Sequence, residues 1–493
     1  MKHLFLAIML TVSAAAQATD ITTTAAGTLQ AALGADPSTV TTLTVTGPVN
    51  ASDLHFIASL PALSTLDLSK ARIEEEINSR LATNRSDYKA DHLPAYILAG
   101  GKFSTVILPA TLTEIGDGAL MSTAITSISI PASVKKKGRG ALADCRTLTQ
   151  LTIPATVTSA GSHLCDGSTA LSEVTFDAAE VPAYAFRGCT SLSRVEGSPS
   201  VIGDYAFAGC TELGSFSFPA GLTSTGTGAF YNSGLNAADM GGCRNLSSLG
   251  DYTFAHCGKL VSVRLPEGLK TIGEGAFFAD DALKALNIPS TVTSLDDFSL
   301  KGTGALDSST GLLSDGVASI GRYAMAGMES LSNVTVPEAL TSIDDHAMAG
   351  MQSLKSIDAR RATEVPATGT GVWDGIDQSK VTLYVNPSME NSFLAAEQWN
   401  EFVITTAGIE QIEADAPASQ PSVSLSISGT DLIVSSDYAI DAASVYDING
   451  RCLAAAAGDG ATSLTIPLAG ITPQVLIVTV DSGHRKATFK IAK

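Results

Sequence analysis

The sequence predicts an α/β repeat solenoid, with one short strand and one short helix or turn in each coil, followed by a small all-β sandwich domain. Three observations predict this fold. An apolar anchor residue recurs every 21 to 25 residues, a strand-like segment ending in proline follows many of the anchors, and short alternating segments fill the chain after a linker. One repeat of this length cannot bury its own apolar face, so we expect neighbouring coils to share a continuous core.

The repeat is clearest where two nine-residue stretches nearly coincide. The stretch YAFAGCTEL at 205–213 repeats YAFRGCTSL at 184–192, and the third residue of each is the anchor. Twelve anchors follow one another at this spacing, namely Leu98, Leu120, Leu142, Cys165, Phe186, Phe207, Phe230, Phe254, Phe277, Leu300, Met325 and Met348. The spacing falls in the range of leucine-rich repeats.

Each unit has a simple physical interpretation. Between Leu260 and Pro266, the apolar residues Val263 and Leu265 are two apart, which suits a strand with one buried face, and the proline ends the strand. In the Ala-Phe-x-Gly-Cys segment we expect a turn of helix whose anchor side chain points into the same interior. Asp204 lies ahead of that turn, where a helix N-cap is expected.

Acidic residues recur three positions before the anchor, at Asp117, Asp204, Asp251, Glu274, Asp297 and Asp345. Two interpretations are open: a calcium-binding column, or turn and cap chemistry that is repeated once per coil. Arg139 and Arg322 occupy the same position in two coils. A column of metal ligands would not tolerate these cations, so cap chemistry is the favoured interpretation.

Most of the seven cysteines belong to the repeat. Cys145, Cys189, Cys210 and Cys257 each lie three residues before a leucine, and Cys243 has the equivalent place in a degenerate unit. Other coils place Ser168, Asp280, Met328 or Met351 at this position. A position that accepts Met or Ser serves packing and hydrogen bonding, and stacked side chains that point in parallel suit disulfide geometry poorly. The sequence therefore predicts free, buried thiols.

Six segments are expected along the chain. Residues 1–18 have the features of a signal peptide, because an apolar run follows Lys2 and ends at the small-x-small triplet of residues 16–18. We expect an N-terminal cap with the first strand repeats over 19–93, the repeat array over 94–356, a C-terminal cap of the array over 357–404, a linker over 405–421 and a β-sandwich over 422–493. Trp399 and Phe402 are expected to cover the last coil.

The candidate binding surface is the exposed strand position between the last two apolar residues of each strand. It is occupied by Thr152, Thr175, Glu196, Ser217, Arg264, Asn287 and Thr335, with Ser129 one coil earlier. Small hydroxyl groups on a regular, flat surface suit contact with a protein or a glycan, and they equally suit a plain solvated strand. Glu196, Arg264 and Asn287 are the least generic members.

Composition and motifs exclude several classes of function. The net charge of −19 repels nucleic acid and anionic lipid, and no segment after the leader has an apolar run long enough to span a membrane. The histidines have no metal-type spacing, and the glycine-rich stretches lack the Lys-Ser/Thr of a phosphate loop. We therefore expect no enzyme, no catalytic residues, no metal and no cofactor.

The repeat units, of the form Ile-Gly-x-x-Ala-Phe-x-Gly-Cys-x-x-Leu-x-x-Val-x-Ile-Pro, resemble those of the BspA-like leucine-rich-repeat surface proteins of Bacteroidetes-type bacteria. The segment from Leu383 to Phe402 is similar to the end of the array in that family. The tail, with SVYDINGR at 444–451 and KATFKI at 486–491, is similar to the C-terminal sorting domains of type IX secretion substrates. The resemblance implies surface display, and binding to host matrix proteins, host cells or other bacteria.

The leading hypothesis is a binding protein, either secreted or displayed on the exterior of the outer membrane. It would be an adhesin or a protein-interaction scaffold that recognises an extracellular protein or glycan, with its C-terminal domain contacting the secretion machinery. The alternative is a glycan-capture surface protein of a polysaccharide-utilisation system, which exposed aromatic residues would favour because sugars stack on rings. A structural component of a surface layer is a third hypothesis.

Overall fold

The computed structural model describes most of the chain. The described residues are 17–34, 36–79, 81, 86–307, 312–406, 408–411, 423–428, 430–436, 439–447, 451–471, 475–482 and 485–492. Residues 1–16 of the expected signal peptide and residues 412–421 of the expected linker lie outside them. So does the Asn449-Gly450 pair, which by its residue types predicts a hairpin turn.

The chain divides into two compact units. The first runs up to Lys355 and takes in Thr363–Gln378, and the second consists of Ser356–Ala362 and the chain from Ser379 onward. Through residue 368 the strands are β1 (Gln17–Thr22), β2 (Val40–Val49), β3 (Thr65–Ile73), β4 (Glu76–Ser79), β5 (Ser86–Tyr88), β6 (His92–Leu93), β7 (Thr105–Ile107), β8 (Glu114–Ile115), β9 (Ser127–Ser129), β10 (Lys136–Lys137), β11 (Gln150–Ile153), β12 (Ser159–Ala160), β13 (Glu173–Phe176), β14 (Glu180–Val181), β15 (Arg194–Gly197), β16 (Val201–Ile202), β17 (Ser224–Thr225), β18 (Ala237–Asp239), β19 (Ser248–Leu249), β20 (Ser262–Arg264), β21 (Thr271–Ile272), β22 (Ala285–Asn287), β23 (Ser294–Leu295), β24 (Ser319–Ile320), β25 (Asn333–Thr335), β26 (Ser342–Ile343), β27 (Ser356–Ala359) and β28 (Ala367–Thr368).

The first unit is a solenoid in which a typical coil adds one strand to each of two parallel ladders. The longer strands form the sheets β1-β2-β3-β7-β9-β11-β13-β15 and β18-β20-β22. The two-residue strands form β12-β10-β8-β6, β14-β16-β17 and β19-β21-β23-β24-β26-β28. The predicted repeat solenoid is confirmed, and the strands of the expected N-terminal cap continue the first of these sheets.

The anchor side chains make the core. All twelve are fully or almost fully buried, with 0–1% of their surface exposed. From Phe186 to Phe277, successive anchor rings stack with centroids 5.3 to 5.7 Å apart and planes within 16°. Each ring therefore completes the apolar environment of the next. Such ring pairs stabilise the fold beyond what the burial of their apolar surface contributes.

The turn after each short strand differs from the expected turn of helix. The N–H groups of Tyr205, Phe207 and Gly209 bond to carbonyl groups of the following coil at 2.8 Å, rather than to a residue four positions back. Tyr205 and Gly209 also have positive φ angles, +51° and +72°, which end any helical path. The expected helical turn is therefore wrong for this coil, because its alternate N–H groups are used for stacking.

Hydroxyl groups explain the high content of Ser and Thr in the array. At one corner, the side chains of Thr126, Thr149 and Ser172 each donate to the carbonyl oxygen of the equivalent residue one coil earlier, over 3.0 to 3.4 Å. These residues are exposed, so each bond adds about 1 kcal/mol or less. The hydroxyls thus stabilise the stacking of coils at the surface.

In the part of the chain that the structure describes, three α-helices lie outside the repeats, namely α1 (Leu29–Leu33), α2 (Ala51–Ala58) and α3 (Glu390–Ala395). Short 3-10 helices span Pro37–Thr39, Gln378–Lys380 and Trp399–Glu401. Within the expected N-terminal cap, the sequence predicts a short helix over 54–60. The observed helix α2 begins earlier, because Asn50 and Asp53 form a capping box at its start.

The second unit combines the end of the array with the antiparallel sheets of the tail. Its further strands are β29 (Thr382–Val385), β30 (Val403–Thr405), β31 (Gly408–Gln411), β32 (Val423–Ser428), β33 (Asp431–Ser436), β34 (Ile440–Asp447), β35 (Cys452–Ala457), β36 (Ser463–Pro467), β37 (Val475–Ser482) and β38 (Arg485–Ala492). Strands β27, β29 and β30 are parallel neighbours. Trp399 and Phe402 are buried, and the Trp399 ring packs 5.4 Å from that of Phe393.

The tail forms the expected β-sandwich. A sheet of order β31-β38-β37-β34-β35 and a sheet of order β32-β33-β36 share one core, to which Val434, Val445, Val478 and Phe489 contribute. All pairings in both sheets are antiparallel. Strand β31 starts inside the segment that was expected to be a linker.

Candidate functional site

The first part of the predicted surface is a continuous row across four strands. Thr152 lies opposite Ser129 and Thr175, and Thr175 lies opposite Glu196. These side chains are exposed or half-buried, whereas their neighbours in sequence, such as Leu151 and Val174, are buried. The structure thus brings four predicted positions together in register on the outer face of one parallel sheet.

The row is interrupted at Ser217. This residue is exposed but lies in no strand. Its neighbours Phe216 and Phe218 turn their rings into a cluster with Phe207 and Phe230, at centroid distances of 5.0 to 5.4 Å. The aromatic cluster replaces strand pairing in this coil, and the eight-stranded sheet ends at β15.

A second row begins after the interruption. Asp239, Arg264 and Asn287 lie opposite one another on β18, β20 and β22. The Arg264 Nη1 and Asp239 Oδ1 atoms are 3.9 Å apart, and both side chains are about 70% exposed. The Asn287 amide oxygen accepts the Leu265 N–H at 3.1 Å, which fixes its orientation. We call Asp239, Arg264 and Asn287 the charged row.

The charged row lines a groove, because the residues beside it are small. Ala237 and Ala285 flank it, and the groove has a volume of about 500 Å³. Gly241 lets Arg264 lie across the backbone, because a Cβ at Gly241 would come within 2.8 Å of the Arg264 Nε atom. The remaining predicted position, Thr335, is exposed on β25 and does not line the groove.

The acidic column has a stacking function. Its Oδ1 atoms accept the backbone N–H one coil further along at 2.6 to 3.0 Å, in the pairs Asp117–Arg139, Asp204–Thr227, Asp251–Glu274, Asp297–Arg322 and Asp345–Thr370. The expected N-cap geometry is therefore wrong in detail, since the acceptor serves a neighbouring coil. Among the described residues, no three His, Cys, Asp or Glu side chains are grouped to hold a metal ion.

The cysteine position has the predicted packing and hydrogen-bonding role. All seven thiols are free, and only Cys452 is exposed. The Cys189 and Cys210 thiols donate to the carbonyl oxygens of Cys165 and Phe186, both at 3.2 Å, and the Ser168 hydroxyl makes the equivalent bond in its coil. Burial raises the pKa of these thiols, which makes them poor nucleophiles.

Two features were missed by the sequence reasoning. Asp239 belongs to a degenerate unit without the usual proline, so its strand gave no signal. The second feature is a column of side chains two positions before the anchors, which we call the ring column. In it, the rings of His163, Tyr184 and Tyr205 stack at 4.6 and 5.3 Å, and those of Phe298, Tyr323 and His346 at 5.4 and 4.9 Å.

Every residue of the ring column has a positive φ, between +51° and +63°. Non-glycine residues rarely adopt this conformation, and here it is imposed in coil after coil by the N–H bonds to the following coil. The Tyr, Phe and Gly alternation was visible in the sequence, but the left-handed conformation that aligns the rings was not.

The described part of the chain contains no helix that is both long and apolar enough to cross a membrane. Among protein families, the one described as BspA type leucine rich repeat region matches in six copies, over residues 89–193, 179–307 and 308–416, which is more than half of the chain. No curated protein matches.

One solved structure of a leucine-rich repeat protein shares the fold, and two others are similar over parts of the chain. A leucine-rich repeat protein from Bacteroides ovatus superposes with a TM-score of 0.56 at 20% identity, covering 73% of this chain and 88% of that one. A leucine rich cell surface protein from Faecalibacterium prausnitzii gives a TM-score of 0.34 at 23% identity, covering 59% and 85%. A leucine-rich repeat protein of T. pallidum gives 0.30 at 31% identity, covering 32% and 77%.

Proposed function

The chain belongs to the BspA type leucine-rich repeat family, and from this premise we propose that it is a secreted or surface-displayed adhesin that binds extracellular proteins through its outer strand face. Membership of this family supports a protein-interaction scaffold. The partners proposed are host matrix proteins, host cells or other bacteria.

The charged row carries the proposal. An arginine, a carboxylate and an amide stand side by side on a rigid parallel sheet, beside the groove bounded by Ala237 and Ala285. Arginine is enriched at protein interfaces, and side chains held on a regular sheet lose little freedom on binding. The row from Ser129 to Glu196 offers a second surface of the same kind, on which small hydroxyl-bearing side chains allow a partner to approach the sheet closely.

We further propose that the protein has no catalytic activity, and that it reaches the surface through its leader and its C-terminal sandwich. The six buried thiols have no access to a substrate. Among the described residues, His163 contacts the Asp166 carboxylate at 2.8 Å and its ring stacks on that of Tyr184, which are the contacts of a structural side chain.

The test is binding of the full chain to immobilised fibronectin, laminin and type I collagen, measured by biolayer interferometry. Arg264→Glu places two acidic groups side by side in the charged row and should weaken binding at least about tenfold, since interface charges that are reversed oppose association. Arg244→Glu is the matched control, because Arg244 is exposed in the same region but lies outside the strands. Absence of binding to all three proteins, or equal affinities for the two variants, would overturn the proposal.

A further inference from the structure

The ring column has one position that no ring fills. Along the first part of the column the residues are Tyr96, Gly118, Gly140, His163, Tyr184, Tyr205, Gly228, Tyr252 and Gly275. At Gly118, Gly228 and Gly275, the tyrosine of the preceding coil occupies the space of the missing side chain, since a Cβ there would lie 2.3 to 2.5 Å from its ring.

Gly140 differs from these glycines because it follows another glycine. A Cβ at Gly140 would lie 3.6 Å from the Ala143 Cβ, an ordinary van der Waals contact, so no ring occupies the space beside Gly140 and a side chain has room there. The sequence of two successive glycines therefore leaves a gap in the column, with the Tyr96 ring on one side and the stacked rings of His163 and Tyr184 on the other. Because the Tyr96 ring lies at the Gly118 position, two coil spacings, or about 10 Å, separate it from the His163 position.

A groove of about 580 Å³ lies at this gap. Gly118 and Gly140 line it together with Tyr96 and His163. The Tyr96 side chain is 61% exposed, so one face of the groove is an accessible aromatic surface. We call this the column groove.

Charged groups of both signs surround the column groove. Its lining includes Asp117, Asp144 and Asp166 and the guanidinium groups of Arg139 and Arg187. Arg187 holds Asp166 with two hydrogen bonds, of 3.0 and 2.6 Å, and lies over the Tyr184 ring at 5.1 Å. His163 Nδ1 contacts Asp166 Oδ2 at 2.8 Å, and the Arg139 N–H donates to Asp117 at 2.8 Å. The Arg139 N–H is a backbone group, so the side chains held in place without a ligand are those of Asp117, His163, Asp166 and Arg187, which lowers the cost of ordering them.

We propose that the column groove binds a neutral sugar ring of a polysaccharide, stacked against Tyr96 and His163 and hydrogen-bonded by the surrounding carboxylates and guanidinium groups. A pyranose has apolar C–H faces that suit an aromatic ring and a rim of hydroxyls that both donate and accept. Each carboxylate offers about four lone-pair sites, and each guanidinium offers five N–H donors, so both signs of charge find partners on one such ligand.

Other occupants fit the groove less well. An aromatic side chain of a partner protein would fill the gap but would use none of the hydrogen-bonding capacity that remains on the surrounding carboxylates and guanidinium groups. An acidic sugar would meet a surplus of carboxylates over guanidinium groups. This site is separate from the charged row, so it does not depend on the protein-binding proposal.

The experiment is titration of the full chain with cellohexaose, maltohexaose and chitohexaose, by calorimetry and by saturation-transfer difference NMR, with hexagalacturonate as an anionic comparison. We expect a dissociation constant below about 1 mM for at least one neutral hexamer. Gly140→Tyr should abolish binding, because the new ring fills the gap and tyrosine adopts the same φ elsewhere in the column.

A second variant and a control complete the test. Tyr96→Ala removes one stacking surface and should weaken binding at least about tenfold, whereas Tyr323→Ala removes a ring from the filled part of the column and should leave affinity unchanged. Circular dichroism shows whether each variant is folded. Failure of all three neutral hexamers to bind, a preference for hexagalacturonate, or unchanged affinity in Tyr96→Ala would each refute the sugar site.

Discussion

Asp204 accepts the backbone N–H of Thr227, one coil further along the solenoid, at an Oδ1–N distance of 2.8 Å. The intervening Gly226 makes this approach possible, since a Cβ there would lie 2.4 Å from both the Asp204 N and Oδ1 atoms. The Gly and Asp positions of the repeat therefore join neighbouring coils. The glycine of one coil permits close approach, and the Asp carboxylate of the preceding coil accepts the backbone N–H that follows this glycine.

Replacing Asp204 with alanine should lower the free energy of unfolding by about 1 kcal/mol, because one hydrogen bond to a charged acceptor is lost at an exposed site where water can replace it. Glu212→Ala is the matched control, since Glu212 is also exposed. Urea denaturation followed by circular dichroism measures the change. Equal midpoints for the two variants would show that the carboxylate does not join the coils.

Lys137 is a buried lysine in a position that Ile115 and Ile202 occupy in other coils. Burial lowers its pKa to about 7, with the nearby Cys165 acting in the opposite direction. The unfolded chain then holds more protons than the folded protein between about pH 7 and the ordinary lysine value of 10.5, so stability rises with pH through this window.

Lys137→Ile should stabilise the protein by about 3–5 kcal/mol at pH 7, the free energy that corresponds to a pKa shift of this size. The gain should shrink as the pH rises from 7 to 10, and denaturation at a series of pH values measures it. Lys136→Ile, at the exposed neighbouring position, is the control. A gain that is independent of pH would contradict the buried-amine explanation.

Asp280 is a buried carboxyl group in the cysteine position of its coil. Desolvation raises its pKa well above the ordinary 3.8, although the Cys257 N–H donates to it at 2.7 Å. The folded protein therefore holds an extra proton above pH 3.8, and stability falls as the pH rises from there.

Asp280→Ser should remove this pH-dependent loss of stability. Ser168 fills the same position in another coil, where its hydroxyl group accepts the Cys145 N–H and donates to the Leu142 carbonyl oxygen. We expect the variant to be more stable than the native protein at pH 7. The difference between their melting temperatures should become smaller as the pH is lowered towards 4. Asp177→Ser, at an exposed site, should show neither effect. Thermal melting at pH 4 and pH 7 distinguishes these outcomes.

Only one thiol should react with Ellman's reagent in the folded protein. Cys452 is exposed, whereas Cys145, Cys165, Cys189, Cys210, Cys243 and Cys257 are buried, and burial raises their pKa values. All seven should react after denaturation without a reducing agent. Fewer than seven under those conditions would reveal a disulfide and contradict the parallel stacking of the cysteine positions.

The sequence predicts this fold well where the same type of residue recurs at a fixed spacing and has the same structural role in every coil. The anchors, from Leu98 to Met348, are all buried as predicted, because an apolar side chain at a fixed spacing has only the shared interior to occupy. Alternation in the tail predicts six strands, over 423–427, 432–435, 443–446, 464–466, 476–480 and 488–491, and all six are present as β32, β33, β34, β36, β37 and β38. Strand β35 was missed because its run from Cys452 to Ala457 is mostly alanine and shows no alternation.

Features that arise between coils were harder to predict. The left-handed conformation of Tyr205 follows from bonds to the next coil, so no local pattern reveals it. Ser217 fits the periodic strand position, but Phe216 and Phe218 join an aromatic cluster that only the packed neighbours create. The capping box of Asn50 and Asp53, in contrast, is a local pattern, and the expected start of its helix at residue 54 was late because that pattern was overlooked.

The proposed binding face is tested most directly by hydroxyl-radical footprinting of the full chain, with and without whichever matrix protein it binds. The account predicts that oxidation of Val261, which is 44% exposed in the strand segment before Arg264, decreases in the complex, while oxidation of Tyr323 on the ring column is unchanged. Protection of Tyr323 with no change at Val261 would place the partner on a different face and contradict the account.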